Sequence, residues 1–352
     1  MKKLLKLLPL VIVASLTACE KYKIMDNENQ PLLIFGTVVT VKMKVAKHFV
    51  GGQTHTGVLN ELKMYDRLSD PNRERTGEVS SDYEKGNNVY YLNNTEEKTQ
   101  ISRELYLLLK RAKELEESLE YFNPLVGSLA KKWKDSLGFD ESKDVTPAVL
   151  SDEVIQEELE KIKTSSLNIE YEDNKNAFYA QREGDALIDL GAIAKGFALD
   201  RCKKYLDTHS GGTEEYLINA GNSSILLGEN SQRENGKYIV EVSKENPNVL
   251  IESSNSFIST SGISEQNVTI GGQTYSHIIN PLTGSAISNY DQITIIAPSE
   301  VGNGALGDAL STSLMMSNED EIKEAETKFG VSVIAIKDGN IAYKSDNIAL
   351  LN

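Results

Sequence analysis

Residues 33–46 alternate apolar and polar side chains and are rich in β-branched residues; a period of two over that length admits a half-buried strand and little else. Short runs of the same kind recur at 216–227, 237–243, 256–260, 267–270, 291–297, 331–336 and 340–344. Helical spacing interrupts them. Ser102 is a candidate N-cap for a helix over 102–120, which carries Leu105, Leu108, Leu109, Ala112 and Leu115 on one face. Further helices are expected over 152–164, 191–206, 304–316 and 318–329. No Pro- or Gly-rich linker is long enough to separate domains, so the chain reads as one domain of mixed elements. Segment 67–100, polar, Asn-rich and weakly patterned, reads as a long surface excursion over or beside a site, and the tetrapeptide Gly-Gly-Gln-Thr at 51–54 and 271–274 as a chance repetition.

The N-terminus sets a compartment. Lys2, Lys3 and Lys6 precede an apolar stretch from Leu7 to Leu16, too short to span a bilayer and of the length of a secretion signal. It ends in Leu16-Thr17-Ala18-Cys19, which is similar to a bacterial lipobox, in which the Cys is lipidated and becomes the first residue. The expected layout is a signal peptide over 1–18, a lipidated tether over 19–30 and a catalytic domain over 31–352. The mature protein would then be lipid-anchored in the cell envelope, on the extracytoplasmic side of the membrane.

The formal charge is −15, and loss of Lys2, Lys3 and Lys6 with the signal takes it to −18. Such a surface argues against nucleic acid or anionic membrane as a partner, because phosphates are bound by clustered Lys and Arg. A small phosphorylated ligand in one local pocket is not excluded. With Cys19 committed to lipid, Cys202 stands alone, so neither a disulfide nor a zinc cluster is available, and Cys202 reads as a small buried hydrophobe.

Three constellations carry chemistry. At 188–200 a strand is expected to end at Asp189, followed by small residues and a helix bearing Lys195, an arrangement that suits an anion at a helix N-terminus. It lacks the GxxxxGK[ST] spacing of a Walker A loop, and a plain Gly-rich helix start explains it as well. At 256–284 small hydroxyl residues surround Gly262, and His277 precedes Asn-Pro and Thr-Gly turn signals; a base or a merely hydrogen-bonded histidine fits. At 304–313 Asp308 and Thr312 lie four apart, on one helix face, and suit a hard cation such as Mg²⁺, although an Asp near a helix start is also a common cap.

Taken in order, these segments resemble the FAD:protein FMN transferase (ApbE) family. Its pattern of Met-Gly-Thr, Asp-x-Gly-Gly-Ile-Ala-Lys-Gly, Asn-x-Gly-Gly, Ser-x-Ser-Gly, His-Ile-Ile-Asp-Pro-x-Thr-Gly and Ala-Asp-x-Leu-Ser-Thr runs through the chain in sequence. It is answered by Phe35-Gly36-Thr37, Asp189 to Gly196, Asn219-Ala220-Gly221, Ser259 to Gly262, His277 to Gly284 and Gly307 to Thr312. Tyr121-Phe122-Asn123-Pro124, with Trp133 beyond it, is similar to a further Ala-Phe-Asp segment of the family. The departures are Phe35 for Met, Ala192 and Asn222 for Gly, Asn280 for Asp, and Pro71 where the family places an aromatic.

The resemblance implies an α+β fold with an antiparallel sheet rather than a doubly wound one. It implies that Asp189 and Lys195 contact FAD. Ile279, Tyr121 and Phe122 would line the flavin pocket, and the backbone oxygen of Ala192 would join Asp308 and Thr312 around Mg²⁺. FMN would pass from FAD to a Ser or Thr hydroxyl of acceptor proteins of envelope flavin-dependent electron transfer, releasing AMP, with Asp308 catalytic through its metal. His277 is the titratable group by type for the base. Two other readings stay open at this point: an FAD pyrophosphatase giving FMN and AMP, and a flavin-binding lipoprotein for uptake.

Overall fold

The computed structural model describes residues 22–46, 50–72, 88–140, 144–209, 215–243 and 248–351. Cys19, the expected lipidation site, and most of the excursion after Asn72 lie outside them. Among the described residues a nine-stranded sheet forms the backbone of the fold. Its order is β1 (Tyr22–Asp26), β3 (Thr37–Ala46), β7 (Tyr216–Ala220), β8 (Ser224–Leu227), β11 (Ser256–Gly262), β14 (Gln292–Pro298), β15 (Ser332–Lys337) and β16 (Asn340–Lys344). The short β2 (Leu32–Ile34) also pairs with β3, and every pairing is antiparallel. The α+β architecture with antiparallel sheet is therefore present.

One face of this sheet carries helices. α1 (Val50–Ser69) crosses β3, α6 (Ala194–His209) crosses β8, and α7 (Asn303–Leu314) crosses β11 and β14. The opposite face is partly covered by a three-stranded sheet of β9 (Tyr238–Ser243), β10 (Val249–Ser253) and β17 (Leu350–Leu351). Double cover explains why all four residues of β8 are buried and why its sequence does not alternate: Leu226 faces the helices, while Ile225 and Leu227 pack with Val240 and Ile251.

Beyond the helices, β4 (Thr99–Ile101), β6 (Ala177–Glu183) and β5 (Ser166–Glu172) form a separate sheet, and α3 (Arg103–Ser118) packs on it and on α7. Ser102 caps α3 by accepting from the Leu105 amide. The remaining elements are α2 (Val89–Asn93), α4 (Gly127–Ser136), α5 (Asp152–Thr164), α8 (Glu319–Phe329) and the hairpin of β12 (Asn267–Ile270) and β13 (Gln273–Ser276).

Several expectations need correction. The tether over 19–30 is shortened, because Tyr22–Asp26 pairs residue for residue with Lys42–Ala46. An edge strand with one wet face reads as polar, yet its backbone completes the β3 ladder. The run 33–46 is a hairpin rather than one strand. Ile34 and Thr37 pair across Phe35 and Gly36, both at positive φ (54° and 68°), as a two-residue turn requires. The run 216–227 folds back likewise at Gly221–Ser223. The residues ending at Asp189 form no strand, and α6 starts at Ala194 rather than 191. The two Gly-Gly-Gln-Thr copies lie in unlike structures, one in α1 and one in the β12–β13 hairpin, as expected of chance.

Candidate functional site

The segment Leu187–Asp189 is held without a ladder. Asn93 acts as a two-pronged clamp, its Nδ2 donating to the Ile188 carbonyl (2.9 Å) and its Oδ1 accepting from the Ile188 amide (2.8 Å). The Asp189 amide donates to Pro124 O and the Gly127 amide to Leu187 O. Asn93 belongs to the segment expected to be a surface excursion; that expectation fails at its N-terminal end, where Leu68 and Ser69 are buried in the last turn of α1, and again at its C-terminal end. Val89 and Leu92 anchor it in the core. Asp189 then turns the chain by accepting from the Gly191 amide (2.7 Å), a turn that Asp side chains make at low cost.

The helices α6 and α7 meet backbone to backbone. A Cβ at Gly196 would overlap the Gly304 carbonyl, and one at Gly304 would overlap the Gly196 carbonyl, so neither position admits a side chain. This approach lets Asp308 reach into the start of α6. Its Oδ2 accepts from the Gly196 amide (2.6 Å), and its Oδ1 accepts from the hydroxyls of Ser224 (2.7 Å) and Ser259 (2.8 Å). Asp200, further along α6, returns the contact by accepting from the amides of Gly302, Gly304 and Ala305 at the N-terminus of α7. Burial pushes the Asp200 carboxyl up to about 6 against the pull of these three amides. Cys202 is buried and unpaired, its thiol raised well above the ordinary value by desolvation, and it is the inert hydrophobe expected.

The Gly196–Asp308 bond has a consequence for Ala192. In a regular helix turn the Gly196 amide would donate to the Ala192 carbonyl; here it is diverted to a carboxylate, and no described residue donates to that carbonyl. Thr312 is the one position in the buried run Gly304–Leu314 that is not buried, and its hydroxyl meets Ser261 Oγ at 2.9 Å. Desolvation, opposed first by the Lys195 charge and then by its three donors, raises the Asp308 carboxyl above the usual range.

Around these groups lies a cavity of 790 Å³, within the size that holds a nucleotide-like ligand. Tyr121, Phe122, Asp189, Ala192, Lys195, His277, Ile279 and Thr312 all line it, and Asp308 sits buried just behind Thr312. Candidates from well-separated stretches of the chain are thus brought to one place. Lys195 has no hydrogen bond or ion pair with any described residue, so its ammonium is free for a ligand in the cavity. His277 follows β13 at the cavity wall, its residue surface exposed, with Nδ1 3.4 Å from the Gln266 carbonyl; desolvation lowers it from the ordinary histidine value, opposed by that carbonyl and by Glu265 and aided by Lys195. Sequence reading missed Asn93 and Asp200, whose work is done through backbone groups distant in sequence. It also missed Glu241 and Asp291 on the cavity wall, which no motif marks.

A hard cation fits this donor set. A carboxylate oxygen, a hydroxyl and a carbonyl freed from its helical partner are all oxygen ligands, and phosphate oxygens and waters complete such a site for Mg²⁺. Among the described residues no group of three or more His, Cys, Asp or Glu is placed to hold a metal ion.

Comparison with known proteins decides the family: the family model described as ApbE family matches residues 35–335. The chain belongs to the ApbE family. Similar proteins called FAD:protein FMN transferase occur in Treponema pallidum, 28% identical over 59% of this chain and 59% of that one, and in Escherichia coli K12, 26% identical over 53% and 52%. The chain thus spans between half and three-fifths of the length of these curated relatives. Among solved structures, the ApbE protein of Thermotoga maritima superposes with a TM-score of 0.70 at 21% identity, covering 92% of this chain and 97% of that one. The flavin transferase ApbE of Vibrio cholerae gives 0.66 at 22% identity over the same shares. Both share the fold. ApbE-family membership agrees with the motif order, whose Phe35-Gly36-Thr37 and Asn219-Ala220-Gly221 pack together: a Cβ on Gly221 would overlap Thr37.

Proposed function

We propose that this ApbE-family chain is a Mg²⁺-dependent FAD:protein FMN transferase, anchored to a membrane by lipid on Cys19. The observation that carries the reading is the cavity lined by Ala192, Lys195 and Thr312, with Asp308 buried behind Thr312 and holding the Gly196 amide. A cation beside a cluster of oxygen ligands suits a pyrophosphate, and the cavity is large enough for the flavin end of its bearer. The names carried by the relatives support the substrate.

The roles follow from position. Tyr121, Phe122 and Ile279 supply flat apolar wall for the isoalloxazine. Lys195 and the N-terminus of α6 hold the phosphates, and Asp189, rigid in its turn, contacts the ligand beside them. Ala192, Asp308 and Thr312 would hold Mg²⁺, which when bound supplies charge neutralisation at the bridging phosphates. In the transfer, the acceptor's Ser or Thr oxygen forms a bond to the FMN-side phosphorus while the P–O bond of the pyrophosphate breaks, and AMP departs with the bridging oxygen. The hydroxyl proton goes to His277, whose lowered pKa keeps the ring neutral near pH 7.

The test is incubation with FAD and Mg²⁺ in the presence and absence of an acceptor protein, with AMP and protein-bound flavin measured together. Coupled appearance of both supports transfer. AMP with free FMN and no acceptor dependence would establish a pyrophosphatase instead, and neither product would leave a flavin-binding protein.

A further inference from the structure

Tyr22, the first residue of β1, follows Cys19 by three positions. A chain spans at most about 3.6 Å per residue, so a lipidated Cys19 keeps the Tyr22 end of the sheet within about 11 Å. The folded edge therefore begins at the bilayer. β3 pairs Ala46 with Tyr22 at this end and brings Thr37 beside Gly221, a cavity residue, at the other. Ten residues of strand cover about 30 Å. An upright domain would lift the cavity about that far above the membrane, whereas a domain lying on the edge of its sheet would hold the cavity at the membrane surface.

Side chains distinguish the two poses. Val39, Val41, Met43 and Val45 are buried inward, so Val38, Lys42 and Lys44 point outward. Opposed residues of an antiparallel pair share a face, and Leu33 opposes Val38 while Ile24 opposes Lys44. Leu33 is 80% exposed, Val38 49% and Ile24 48%. Single exposed apolar residues are ordinary. These three lie on one face of the edge at which the anchor attaches, and they extend from the anchor end to the cavity end. Lys42, Lys44 and Asp26, which opposes Lys42, share this face; Lys44 is engaged with Glu215, and Lys42 lies near Glu28. With a formal charge of −15 over the whole chain, contact rests on apolar insertion rather than on attraction to anionic lipid.

We infer that the outer face of β1, β2 and β3 lies flat on the bilayer, with Leu33, Val38 and Ile24 in the headgroup region. The cavity then opens at membrane level and serves acceptor segments held close to the lipid surface. This rests on the lipid anchor proposed above.

The test uses the full-length lipidated protein in phosphatidylcholine vesicles containing nitroxide-bearing lipid. An environment-sensitive fluorophore is placed at Leu33→Cys, at Val38→Cys as a second site, and at Glu170→Cys on β5, beyond the helices, as reference. Buried Cys202 leaves the introduced thiol the accessible one. Several-fold stronger quenching at positions 33 and 38 than at 170 is expected. Equal, weak quenching at all three in protein that floats with the vesicles would overturn the flat pose alone. Failure of the wild type to float, or flotation that survives Cys19→Ser, would overturn the anchor and the pose with it.

Discussion

Lys195, His277 and Asp308 each face a different physical demand. Lys195, near the start of a helix, makes no hydrogen bond or ion pair among the described residues, and its charge acts on Asp308 and His277. If it holds a phosphate, Lys195→Ala removes a charged hydrogen bond worth about 1.5–3 kcal/mol, or roughly 10- to 150-fold in affinity. Titration should show that loss for FAD and not for riboflavin, which lacks phosphate. For His277, desolvation depresses the ring's pKa, so the basic form persists to lower pH than for a free histidine. The acid limb of the turnover profile should therefore lie below pH 6.5, the ordinary histidine value, and His277→Ala should abolish it. Asp308→Asn keeps a carbonyl oxygen for the Gly196 amide and turns its NH2 toward the Ser224 and Ser259 hydroxyls, which accept as well as donate, so the contacts survive and only the negative charge is lost. Turnover at saturating Mg²⁺ should fall about 100-fold or more, since metal contacts contribute several kcal/mol at about 1.4 kcal/mol per decade. Because every partner of the side chain can still be matched, denaturant unfolding of the variant should stay close to that of the wild type.

At the scale of elements, the site depends on α6 and α7 exchanging carboxylates. Asp308 of α7 caps the beginning of α6, and Asp200 of α6 caps the beginning of α7. The approach is close because Gly196 and Gly304 face each other, and the pair is then locked at both ends. Asp200→Ala would leave three buried amides without an acceptor and should cost about 2–4 kcal/mol in unfolding free energy, with a parallel loss of FAD binding as α7 shifts. Equal stability of variant and wild type would show the reciprocal caps to be unimportant. α6 and α7 were legible as helices from their spacing. Their mutual capping was not, because it links residues about a hundred positions apart and depends on backbone amides, which carry no sequence signal.

For the whole molecule, an edge strand built from the expected tether ties the position of the sheet to the N-terminus. Replacing Cys19 with Ala should release the protein from the membrane fraction; equal membrane association after cell fractionation would remove the lipoprotein reading. No helix among the described residues is long and apolar enough to cross a membrane.

Order and identity of residues alone were enough for the family pattern, the helices α3, α5, α6, α7 and α8, and a candidate set that the fold gathers around one cavity. The reason is local: apolar period, caps and small-residue runs act over a few positions, and 3.6- and 2-residue repeats are visible there. Tertiary structure decided what local signals could not carry. β1 reads as polar because half of it faces solvent, and only pairing with β3 makes it a strand. β8 does not alternate because it is covered on both faces. The residues before Asp189 have no ladder and are held by Asn93, in a segment without pattern. The Ala192 carbonyl is free only because a carboxylate from another helix takes the amide that would have bound it, a relation that exists once α6 and α7 touch.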